Sequence, residues 1–153
     1  MVDPPSRRAA AVALRQFAAG RITNDELEDR WPKSSDRAVR VLREAAWLRY
    51  SDLREYRLTG SDRLPTLVRK QVVRWVLFLH GELPYEWPVP STTQNLARDL
   101  VSLITLGVAE RLWTRQLRAT GELEVWPFIR RSDFRAALTR RGSCARSTDP
   151  TRR

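Results

Sequence analysis

The stretch that decides the fold is residues 66–79, Thr66-Leu67-Val68-Arg69-Lys70-Gln71-Val72-Val73-Arg74-Trp75-Val76-Leu77-Phe78-Leu79, the most apolar helix-length run in the chain. Val68, Val72, Trp75, Val76 and Leu79 recur at helical spacing, and Val73, Leu77 and Phe78 widen the stripe toward a full wrap. Only Arg69, Lys70, Gln71 and Arg74 interrupt it. A helix that apolar needs partners on most sides. The spacing therefore predicts the central core helix of one small all-α domain, with Pro65 in its first turn and His80-Gly81 at its end.

Working outward, the segment before it reads as a long helix. Ser34, Ser35 and Asp36 supply a cap, and Val39, Leu42, Ala46, Trp47, Tyr50, Leu53 and Tyr56 continue a stripe to about Arg57. Nearer the N-terminus, Ala10, Val12, Leu14, Phe17 and Ala18 predict a short helix over 6–19, with Gly20 as its left-handed stop. Thr23 and Glu26 then have capping-box spacing, with Ile22 and Leu27 at the staple positions of a short helix ended by Pro32. Residues 1–5 are expected to be a disordered lead.

Downstream, Pro84, Pro88 and Pro90 forbid helix interior and predict an extended path over the surface. A fourth main helix is expected over 93–118, with Leu96, Leu100, Leu103, Ile104, Val108 and Leu112 as its stripe and Gly107 as a kink. Residues 122–129 read as extended, Ser132 as the cap of a last short helix carrying Phe134 and Leu138, and 140–153 as a disordered Arg-rich tail. The expected architecture is thus a single-domain helical bundle over 6–139, with about four main helices, a short N-terminal helical hairpin and extended Trp-Pro segments packed on it.

A chain of 153 residues is one domain by size. Its net charge is +10, but residues 1–20 and 21–139 carry +2 and +4, and the last 14 residues alone carry +4. Arginine outnumbers lysine 26 to 2, which composition bias explains more simply than selection for phosphate contacts. The single cysteine, Cys144, excludes intramolecular disulfides and four-cysteine zinc sites, in keeping with a cytoplasmic location. Arg7-Arg8 before an alanine-rich run has the look of a twin-arginine leader, but Arg15 breaks the apolar stretch too early. Residues 100–109 fall short of the ~20 apolar residues a spanning helix needs, so no membrane segment is expected.

Catalytic chemistry finds few residues to use. His80 is the sole histidine, which excludes any site needing two imidazoles; a His80 base oriented by Glu82 or Glu86 competes with a histidine simply favoured at a helix C-terminus. Asp25, Glu26, Glu28 and Asp29 could pair for metal binding or acid–base work, but the positive end of a helix suffices to explain acids clustered in its first turn. No glycine-rich phosphate loop occurs, and no metal or cofactor is expected.

The distinctive feature is the trio Trp31-Pro32, Trp87-Pro88 and Trp126-Pro127. Tyr85, Trp87, Trp126 and Phe128 form either an aromatic groove for a partner or pins that hold two irregular segments on the core, with pinning the favoured reading. With His80 they are the interaction candidates. Arg130 and Arg131 before Ser132, at a helix N-terminus, are the anion-binding candidates.

Four stretches, 14–29, 45–60, 74–88 and 124–138, together resemble a family of small bacterial proteins that brings no activity, cofactor or catalytic residue to carry over. Members of that family place Ser before the proline matching Pro65. This chain has Leu64, so a side-chain cap is expected to be missing. Residues 14–29 alone are similar to the SHOCT type of short helical hairpin, a resemblance that implies oligomerisation or tethering. The sequence thus points to a non-enzymatic cytoplasmic module that binds a protein partner or itself. The alternative is weak, sequence-nonspecific nucleic-acid binding through the basic tail and Arg130/Arg131.

Overall fold

The computed structural model describes residues 1–51, 53–88, 115 and 119–147, the last seven as backbone alone. Among them the chain is mostly helical with no strands, in the order α1 (Pro4–Ala18), α2 (Asn24–Arg30), α3 (Arg37–Trp47), α4 (Thr66–Leu79) and α5 (Arg131–Ser147). The fourth main helix expected over 93–118 lies almost wholly outside the described residues.

Helix α1 starts earlier than the sequence reading had it. Asp3 is its N-cap, accepting from the Ser6 amide at 3.1 Å, and Pro4 and Pro5 occupy the first positions, where a missing N–H costs nothing. Asp3 also accepts from the Ser34 hydroxyl at 2.6 Å, which ties the expected disordered lead to the rest of the fold. At the other end, Gly20 (φ +67°) and Arg21 donate to the Phe17 and Gln16 carbonyls, the paired bonds of a Schellman stop. A Cβ on Gly20 would sit 2.7 Å from Thr59 Cγ2, so both conformation and space select glycine.

The capping box of α2 is complete. Thr23 Oγ1 accepts from the Glu26 amide at 3.1 Å and the Glu26 carboxylate accepts from the Thr23 amide at 2.9 Å, above the buried staple residues Ile22 and Leu27.

Helix α3 departs most from expectation, for it ends at Trp47 instead of running to about Arg57. The cause is a competing set of hydrogen bonds from Asn24. Its side-chain amide donates to the carbonyls of Ser51 (3.3 Å) and Arg54 (3.1 Å), its Oδ1 accepts from the Tyr56 amide (2.8 Å), and its own amide donates to Tyr56 O (3.2 Å). Thr23 and Arg57 complete the junction as an isolated antiparallel bridge. These bonds satisfy backbone groups that an extended α3 would have paired internally. Of the residues read as the later stripe, Tyr50 packs edge-on to Phe17 at 5.4 Å, whereas Leu53 is 92% exposed.

Helix α4 is the middle of the described core. It packs most extensively on α1, then on α5 and α3, and buries Val72 and Trp75 through Leu79. Its N-cap is Pro65 itself, not residue 64 as expected, so Pro65 lies just before the first turn, and no side chain caps the helix. Its N-terminal half is less covered, with Leu67 75% exposed. Helix α5 continues through Ser147, past the expected boundary at 139, so most of the supposed tail is helical and residues 148–153 lie outside the described set.

Candidate functional site

One buried ion pair organises the region where α4 ends. Arg7 on α1 and Asp36 at the start of α3 are both buried and meet with Nε–Oδ2 at 2.6 Å and Nη2–Oδ1 at 3.2 Å. The remaining guanidinium nitrogen, Nη1, donates to the Gly81 and Leu83 carbonyls at 3.0 and 2.8 Å, so it holds the segment leaving α4. The Arg7 guanidinium also lies 5.4 Å from the Phe78 ring centre. Asp36 caps α3 through the Ala38 amide at 2.8 Å and accepts from the Asp3 amide at 2.9 Å. Burial alone pushes the Asp36 carboxyl up; the hydrogen bonds from Arg7, Asp3 and Ala38 outweigh that and leave it below the ordinary aspartate value.

Beyond this knot the three Trp-Pro indoles all bond within the fold. Trp31 Nε1 donates to Val39 O at 3.2 Å. Trp87 Nε1 donates to the carbonyls of Pro127 (3.0 Å) and Phe128 (3.2 Å), which joins two segments about 40 residues apart. Trp126 Nε1 donates to Tyr85 Oη at 3.1 Å, and its ring meets Trp75 edge-on at 5.6 Å. Phe78 contacts Phe128 (5.1 Å) and Tyr85 (6.3 Å) in the same edge-on manner. Burial raises the Tyr85 phenol above its ordinary value, against the opposing pull of Trp126.

The interaction candidates are therefore brought together, but not as an open groove. Tyr85, Trp87 and Phe128 are buried, and Trp126 is partly so. His80 is exposed at the C-cap of α4 and borders, with Arg15, Leu83, Phe128 and Arg140, a hollow of about 330 Å³. Arg15 and His80 both sit at helix C-termini, where the macrodipole favours cations.

The anion-binding candidates are placed differently from expectation. Helix α5 begins at Arg131, so Ser132 lies inside its first turn and is not the cap. The Arg131 amide donates to Glu122 Oε1 at 3.1 Å, and its guanidinium pairs with Glu122 at 3.4 Å and with Glu124. The chain's own carboxylates thus hold the positions a phosphate would take. Arg130 is exposed beside them. The acidic group on α2 is also in local use: Glu26 closes the capping box and pairs with Arg30 at 2.8 Å, and Glu28 accepts from the Tyr50 hydroxyl at 2.9 Å. Among the described residues no three His, Cys, Asp or Glu side chains gather as a metal site, and no helix is long and apolar enough to cross a membrane.

Two surfaces that the sequence reading did not single out stand out in the fold. The first is the outward face of α3, where Arg40, Arg43, Glu44 and Trp47 share helical spacing and, with Glu28 of α2, line a hollow of about 420 Å³. Trp47 is 50% exposed and is followed by Leu48 at 74%. The second is the face of α4 bearing Gln71 and Arg74, where Gln71 Oε1 and Arg74 Nε are buried without a hydrogen-bond partner among the described residues. The signal for the first was present as a tryptophan at the end of a charged helical stripe. The second had none, because polar residues interrupting an apolar helix read as its solvated side.

No family model, curated protein or solved structure matches the chain.

Proposed function

We propose that this chain is a non-enzymatic interaction module that self-associates through the outward face of α3. The observation that carries the reading is the half-exposed Trp47 beside a hollow walled by both signs of charge, Arg40 and Arg43 against Glu28 and Glu44. Large aromatic and arginine side chains are the usual anchors of protein interfaces. A two-fold contact needs a surface complementary to itself. Here a two-fold crossing of α3 helices sets the arginines of one copy against the glutamates of the other, and each Trp47 into the opposite hollow. A one-sign surface would repel its own copy; this one does not.

Sedimentation equilibrium of the full chain tests it. The wild type is expected to form dimers at tens of micromolar, and Trp47→Ala to be at least about tenfold weaker in association, as for loss of an interface anchor. Arg43→Glu and Glu44→Arg should each weaken the dimer and restore it when combined. A wild type that stays monomeric at millimolar concentration overturns the proposal.

A further inference from the structure

One face of α4 carries charges that the described part of the fold does not use. Arg69, Lys70 and Arg74 lie within two turns, and none has an ion-pair partner among the described residues. Lys70 and Arg74 are four apart, a like-charge spacing that weakens a helix. No acid stands in the first turn and no side chain caps it, so the positive end of the helix dipole adds to these cations. They border a groove of about 670 Å³ between α4 and Phe134 of α5. Its apolar surface comes from Leu67, Val73 and Phe134, and no acid lines it among the described residues.

Two polar atoms on this surface lack what a buried polar atom ordinarily has. Among the described residues Arg74 Nε and Gln71 Oε1 are removed from water with no hydrogen-bond partner, as is Trp75 Nε1. Desolvation lowers the Arg74 pKa, the mark of a cation held without its counter-charge. A side-chain amide presents its oxygen or its NH₂ at the same place according to what it meets, so Gln71 is able to donate alongside Arg74. Both side chains line the groove, so a carboxylate in it meets the Arg74 guanidinium and the Gln71 amide, and the groove volume is in the range of small-molecule sites.

We propose that this groove binds a single-chain carboxylate amphiphile of the fatty-acid type, its headgroup on Arg74 and Gln71 and its tail along Leu67, Val73 and Phe134. The charge selects an anion and the apolar lining selects its tail. The self-association face on α3 is a separate surface, so either proposal survives the failure of the other.

Isothermal titration of the full chain with dodecanoate, kept below its micelle concentration, tests the site. Dodecanoate should bind saturably at one per chain. Acetate, which lacks the tail, should give no saturable heat, and dodecanol, which lacks the charge, should bind at least about tenfold more weakly. Arg74→Gln should weaken dodecanoate binding by about tenfold or more without lowering the melting temperature. Lys70→Glu, which places a carboxylate one turn before Arg74, should weaken it as well. The proposal is overturned if dodecanoate gives no saturable binding, if dodecanol binds as tightly, or if Arg74→Gln leaves the affinity unchanged.

Discussion

Arg7 and Arg74 are the same side chain in opposite circumstances. Arg7 is wholly buried, yet it meets both Asp36 oxygens and two backbone carbonyls. Arg74 is only partly buried, yet its Nε is shut off from water with no acceptor among the described residues. The difference separates polar groups that build the fold from those the fold leaves unsatisfied. In the first region each charge closes a junction: α1 to α3, and both to the chain leaving α4. In the second the cations close no junction among the described residues, and an apolar groove lies beside them.

Breaking the matched region should have the largest effect. Arg7→Gln leaves Asp36 buried without its cation and frees two carbonyls, a loss of about 3–5 kcal/mol readable by urea unfolding. The pair also predicts the acid limb of stability. Asp36 has its folded value below the ordinary 3.8. Its contribution is therefore complete above that pH and is lost as the pH falls through the folded value, because the unfolded chain takes up the proton first. Melting temperatures measured from pH 5 to pH 2 should fall more steeply for the wild type than for Arg7→Gln.

Asn24 comes next. Asn24→Asp keeps the shape and the bond from the Tyr56 amide but replaces two donors with an acceptor facing the Ser51 and Arg54 carbonyls. It should cost about 2 kcal/mol and speed hydrogen exchange at Tyr56 before exchange in α1. The smallest effect, and the one of opposite sign, belongs to the unmatched region. Arg74→Gln removes a cation that has lost solvation and gained no partner, so stability should stay level or rise by up to about 1 kcal/mol.

What was legible in the sequence was whatever is encoded locally. Helix α4 shows in the spacing of Val72, Trp75, Val76 and Leu79, the start of α2 in Thr23 and Glu26, and the stop of α1 in Gly20. The end of α3 was not, since Tyr50, Leu53 and Tyr56 keep helical spacing while Asn24, some 30 residues earlier, takes the backbone of Ser51, Arg54 and Tyr56. Nor was the Arg7–Asp36 pair, for two charges 29 residues apart share no pattern. The clustering of Tyr85, Trp87, Trp126 and Phe128 was read from the Trp-Pro pairs, but which way each indole N–H points depends on groups about 40 residues distant, two carbonyls for Trp87 and the Tyr85 hydroxyl for Trp126. Arg131 was read as an anion-binding candidate because its partners, Glu122 and Glu124, stand at a single 3-10 turn over Leu123–Val125 whose path periodicity does not give.

Thermal unfolding of Arg7→Gln and Arg74→Gln, side by side with the wild type at pH 7, asks whether one arginine belongs to the fold and the other does not. Arg7→Gln should melt about 10 °C lower, given a few degrees per kcal/mol for a chain of this size, and Arg74→Gln at or above the wild type. Equal losses in both variants would contradict the account, since Arg74 would then be a structural residue like Arg7.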